Sequence, residues 1–66
     1  MYANMTIELR RKNITNRAVA ELIGSTEKTV VNKLNGASDF TVSEAILINE
    51  NLLPEFKLSY LFAHSE

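Results

Sequence analysis

The chain has 66 residues, which is room for one domain and not for two. A domain this small buries only a modest share of its surface, so short helices with local contacts, or association with a second copy, are the accessible routes to a core. It has no cysteine, which excludes disulfides and thiolate metal sites, and its formal net charge of −1 argues weakly against a nucleic-acid partner.

The charge is unevenly spread. Residues 1–36 carry six cations against three acids, and residues 37–66 carry one cation against five acids. That division suggests one face for an anionic partner and another turned away from it, with ordinary solubilising charge as the alternative. No apolar run nears the ~18 residues of a membrane span, and no signal-peptide pattern is present. The expectation is a soluble, cytoplasmic protein.

Residues 3–12 read as a first helix, with Met5 and Leu9 on one face and Arg10 to Lys12 suiting the C-terminal dipole. Asn13 can take the left-handed conformation that ends it. Thr15 is an N-cap candidate for a second helix, and Ile14 can staple onto Val19. Val19, Leu22 and Ile23 form its apolar stripe, and Ala18 and Ala20 permit close approach. Gly24 ends this helix and Thr26 can cap the next, so a turn of about three residues forces a steep crossing.

The third helix is expected from Glu27 to Leu34, with Val30 and Leu34 inward and Asn35-Gly36 as its stop. Residues 37–40 form a loop that plugs Phe40 into the core. Thr41 to Glu44 fits a capping box. The fourth helix then runs to about Asn51, burying Val42, Ala45, Ile46, Ile48 or Asn49, and Leu52. Pro54 suits the first turn of a fifth helix. In that helix Phe56, Tyr60 and Leu61 lie on one side and Leu58 and Phe62 on another. The fold class is therefore all-α, a compact bundle of about five short helices forming a single domain over residues 1–66.

Catalytic chemistry finds little support. His64 is the one histidine and sits near the C-terminus, where a disordered tail is expected. With only Gly24 and Gly36, no glycine-rich phosphate loop exists. The acids lack metal-site or dyad spacing, and the serines lack an activating histidine. No enzyme activity, cofactor or metal is expected, which leaves nucleic-acid binding or protein interaction.

The stretch "ITNRAVAELIGSTEKTVVNKLNG" resembles the helix-turn-helix of the Cro and phage-repressor (XRE-type) superfamily. Ile14-Thr15-Asn16 stands for its Leu-Thr-Gln start, Val19-Ala20 for its Leu-Ala pair, Ile23-Gly24 for the turn, and Asn35-Gly36 for the helix end. Lys33 to Gly36, Phe40, Thr41 to Glu44, and Tyr60-Leu61-Phe62 further resemble a small phage-associated branch, so the likeness covers nearly the whole chain. The superfamily usually pairs an arginine in helix 1 with a glutamate late in helix 3. Here those positions are Leu9 and Leu34, an apolar contact in place of a charged tie, a swap that is often neutral or stabilising. Asn16 replaces the usual glutamine and is shorter.

The resemblance implies a lambda-repressor-like fold and a small transcriptional regulator that binds double-stranded DNA, with helix 3 in the major groove. Thr26, Glu27, Lys28, Val31 and Asn32 would face the bases. Lys28 suits guanine, Asn32 adenine, Glu27 the amino group of cytosine, and Val31 a thymine methyl. Asn16, Arg17 and the start of helix 2 would hold phosphates, with Arg10 and Arg11 as possible additions, and Lys33 extends the polar face. Each has a plainer reading: Thr26 is a cap, Glu27 suits the helix dipole, Val31 can be core, and Arg10 to Lys12 can be dipole partners. One copy makes few contacts, so a homodimer on a palindrome is expected, formed through Leu58, Leu61 and Phe62. The alternative is a protein-interaction module of antirepressor or antitoxin-like kind, using the same fold without operator binding.

Overall fold

A computed structural model describes residues 2–63 and places five α-helices among them, with no strand. They are α1 (Ala3–Arg11), α2 (Asn16–Ile23), α3 (Glu27–Leu34), α4 (Val42–Leu52) and α5 (Leu58–Leu61). None is long and apolar enough to cross a membrane. His64 lies outside the described residues.

Local chemistry sets most of the boundaries. Asn13 ends α1 at φ 58°, and Gly24 ends α2 at φ 69°, both in the left-handed region where these residues are tolerated best. Thr15, Thr26 and Thr41 each accept a hydrogen bond from the third residue of the helix they open. At α4 the capping box is complete: the Thr41 hydroxyl accepts from the Glu44 N–H at 3.1 Å, and Glu44 accepts from the Thr41 N–H at 2.9 Å.

The core takes Tyr2, Met5 and Leu9 from the first segment, Val19 and Ala20 from α2, and Val30 and Leu34 from α3. Ile48, Leu53 and Leu61 close it. Leu9 and Leu34 thus share one apolar cluster. Phe40 plugs its loop against the core, and Ile14 packs there too.

Helix α4 departs from the expected burial. Val42 is 75% exposed and Ile46 43%, whereas Ile48 is fully buried. Glu44 turns toward Lys33 on α3, so Ile48, four residues on, points inward with it. Val42 and Ile46 lie two residues to either side of Glu44, which on a helix is nearly the opposite face.

The chain after α4 also differs. Pro54 does not open a helix, because residues 54–56 form a turn and α5 is a single turn beginning at Leu58. Leu53 precedes the proline, leaves the helical region (φ −134°, ψ 54°) and drops into the core at 0% exposure. The Asn49 amide fixes the bend by donating to the carbonyls of Leu53 at 2.9 Å and Phe56 at 2.8 Å.

Leu53→Ala should therefore cost about 3 kcal/mol and Val42→Ala under about 0.5 kcal/mol in urea denaturation. Gly24→Ala should cost about 1 kcal/mol from left-handed strain alone, since an added Cβ there meets nothing within 4 Å. A Val42→Ala loss matching that of Leu53→Ala would contradict the described rotation of α4.

Candidate nucleic-acid interface

Helices α2 and α3 are eight residues each, and three residues, Gly24 to Thr26, join them. The left-handed Gly24 reverses the chain, and the Ser25 N–H donates back to the Ala20 carbonyl at 2.8 Å. The turn therefore closes on its own hydrogen bonds. On α3, Val30 and Leu34 are buried, which turns Lys28 and Asn32 outward with Val31 at the edge; Glu27 shares the direction of the buried stripe but is exposed at the first position of the helix. All four are exposed, Val31 at 38%.

The candidate residues are not equivalent. Glu27, Lys28 and Asn32 make no side-chain hydrogen bond or ion pair with another described residue. Thr26 is occupied as a cap: it accepts from the Thr29 N–H at 3.2 Å and donates its own proton to the Thr29 hydroxyl at 2.9 Å. Asn16 and Arg17 stand exposed in the first turn of α2. Arg17 meets Glu21 at 3.3 Å, a solvent-bathed pair that exchanges partners at little cost.

Lys33 does not belong with this face. Its ammonium lies 2.7 Å from Glu44 Oε1 and 5.7 Å from the centre of the Phe40 ring, and its side chain is only 13% exposed. It is a strut between α3 and α4, and a phosphate would have to break a charge-assisted hydrogen bond to recruit it. The expected C-terminal dimer surface is altered in the same way. Leu61 is fully buried and Phe62 is half-buried against Tyr2 and Phe40, so only Leu58, at 39%, and Tyr60 remain well exposed there.

Among the described residues, two ion pairs join the basic and the acidic halves of the sequence. Lys12 pairs with Glu55 at 2.7 Å and Lys33 with Glu44 at 2.7 Å, both across the halves. Arg11 reaches Glu8 at 3.5 Å. Among the described residues of the first half, Arg10 and Lys28 are the cations without an ion pair.

Glu8 is a residue the sequence reading missed. It is 4% exposed, accepts from the Tyr60 hydroxyl at 2.8 Å, and so helps to hold α5 on α1. The Asn4 amide donates to the Tyr60 carbonyl at 2.9 Å and completes that tie. The hydrogen bond to Glu8, with burial and the carboxylate's charge behind it, raises the Tyr60 phenol above its ordinary value despite Arg11. Its spacing of three from Met5 puts Glu8 on the buried face of α1, but no local pattern names its partner, which lies 52 residues away.

A cleft of about 200 Å³ opens beside this face, between α1, the start of α2 and the end of α3. Leu9, Ile14 and Leu34 line it, and Arg10, Asn16 and Asn35 stand around it.

Burial pushes the Glu44 carboxyl up, but hydrogen bonds from Lys33 and Thr41, with the Lys33 charge, outweigh it and hold the group below its ordinary 4.5. A depressed folded value contributes stability that is present above 4.5 and is lost as pH falls through the folded value. Urea denaturation from neutral to acid pH should show that loss. Lys33→Met should cost about 1–2 kcal/mol near neutrality and flatten the acid limb, and an unchanged limb would contradict the strut.

No family model matches the chain, and no curated protein or solved structure matches it significantly.

Proposed function

We propose that this protein is a small transcriptional regulator that binds double-stranded DNA in a sequence-specific way, with α3 in the major groove. The observation that carries this reading is the exposed row Glu27, Lys28, Val31 and Asn32 on α3, with three polar side chains uncommitted within the fold. It stands three residues after a helix whose first turn exposes Asn16 and Arg17. A helix about 10–12 Å across enters a major groove about 12 Å wide. Lys28 donates to guanine, Asn32 brackets adenine, Glu27 accepts from cytosine, and Val31 meets a thymine methyl. Asn16 and Arg17 hold phosphates, Arg17 by leaving Glu21. The resemblance to the Cro and phage-repressor superfamily supports a cytoplasmic, phage-type regulator without enzymatic activity. Two copies would read a palindrome, with Leu58 and the exposed edge of Phe62 as the contact and Leu61 reserved for the core.

A second reading is favoured by the neutralisation of four of the six first-half cations and by the unpaired Glu27. It is a protein-interaction module using the same surface. Salt separates the two, because DNA affinity falls steeply with salt through counterion release and an apolar protein contact changes little.

Selection against a random duplex library at low salt should enrich a short motif. The double variant Lys28→Ala/Asn32→Ala should bind that motif about a hundredfold more weakly or worse. Equal, weak retention of both proteins would sink the DNA reading. Sedimentation should show a dimer on the selected duplex that Leu58→Asp disrupts, and a one-to-one complex on a palindrome would remove the proposed contact.

A further inference from the structure

The cleft beside the α3 face carries chemistry that major-groove reading does not use. Its accessible aliphatic surface comes mainly from the half-buried Ile14 and from Val31, because Leu9 and Leu34 are themselves buried and show only their edges. Its polar groups are Arg10, Asn16, Asn35 and Thr6, and no acid lines it.

Apart from Thr6, those groups have no side-chain partner, a state they share with the exposed Lys28, Lys57, Asn13 and Asn32. Arg11, Lys12, Arg17 and Lys33 each have a carboxylate partner, and Arg10 has none among the described residues. Asn4, Asn49 and Asn51 spend their amides on main-chain carbonyls, and Asn16 and Asn35 do not. Thr6 gives its proton to the Tyr2 carbonyl at 3.0 Å and keeps only acceptor capacity. One free guanidinium and two free primary amides therefore stand around a partly aliphatic cleft. A lone cation over aliphatic side chains suits a molecule with an apolar body and one anionic end. A bare phosphate would match the cation and leave the aliphatic surface unused.

We infer that this cleft is a binding site for a small aliphatic carboxylate, its chain on Ile14 and Val31 and its carboxylate on Arg10 and the Asn16 and Asn35 amides. The ligand would touch Asn16 and Val31, so it would compete with DNA, a consequence that rests on the proposed function. The binding itself does not.

The test is an amide NMR titration of the protein without DNA, using hexanoate, hexanol and inorganic phosphate as probes. Hexanoate should bind with a Kd of about a millimolar and shift the amides around Leu9, Arg10, Ile14, Asn16 and Asn35. Arg10→Gln, a surface change that keeps helix propensity, should weaken hexanoate about tenfold and leave hexanol unchanged. Phosphate binding as well as hexanoate would overturn the proposal and mark the cleft as a seat for the DNA backbone. Shifts spread over the whole protein, no saturation, or hexanoate indifferent to Arg10→Gln would also overturn it.

Discussion

Three aromatic rings hold the two ends of the described chain to its middle. Tyr2, Phe40 and Phe62 form a triangle with every pair of centroids 5.6 Å apart, two of the pairs edge-on and the third tilted. Such contacts add about 0.5–1.5 kcal/mol each beyond area burial, which is large for a core of this size. The Tyr2 N–H also donates to the Leu34 carbonyl at 3.0 Å, so the residue that opens α1 receives the last carbonyl of α3. Lys33 lies over Phe40 and grips Glu44, and Glu44 in turn caps α4. The rotation of α4 follows from this assembly through Glu44.

That same assembly decides what α3 can present. With Val30 and Leu34 in the core and Lys33 turned to Glu44, the helix is oriented on three sides. Thr29 is tied to the Thr26 cap, and Glu27, Lys28, Val31 and Asn32 are what remain. The residues that hold this face still are the strut and the triangle, none of which belongs to it. The tight turn at Gly24 supplies the other constraint by setting where α2 places Asn16 and Arg17.

Charge behaves differently in the chain and in space. The sequence divides into a basic half and an acidic half, yet Lys12 and Lys33 fold onto acids from the second half. Opposite charges separated along a chain of this size are close enough to meet once it folds. The division therefore supplies ties between distant parts of the chain. Arg11 and Arg17 pair within their own helices, and Lys28 and Arg10, without an ion pair among the described residues, stand on the α3 face and at the cleft.

The helices and their ends were legible in the sequence because they depend on neighbours within four residues. Thr15, Thr26 and Thr41 cap, Asn13 and Gly24 terminate, and the helices they bound follow almost residue for residue. The buried stripe of α3 was legible for the same reason. Only tertiary structure decided the rest. Val42 and Ile46 satisfy a helical pattern as well as Ile48 does, and the Lys33–Glu44 contact selects between them. Lys33 looks like a member of a polar face until Phe40 arrives beneath it. Leu53 is buried because a proline follows it and Asn49 bends the chain there, and Glu8 is buried because Tyr60 reaches it from the far end. Periodicity tells which residues share a face of one helix, and the choice of face to bury belongs to partners distant in the chain.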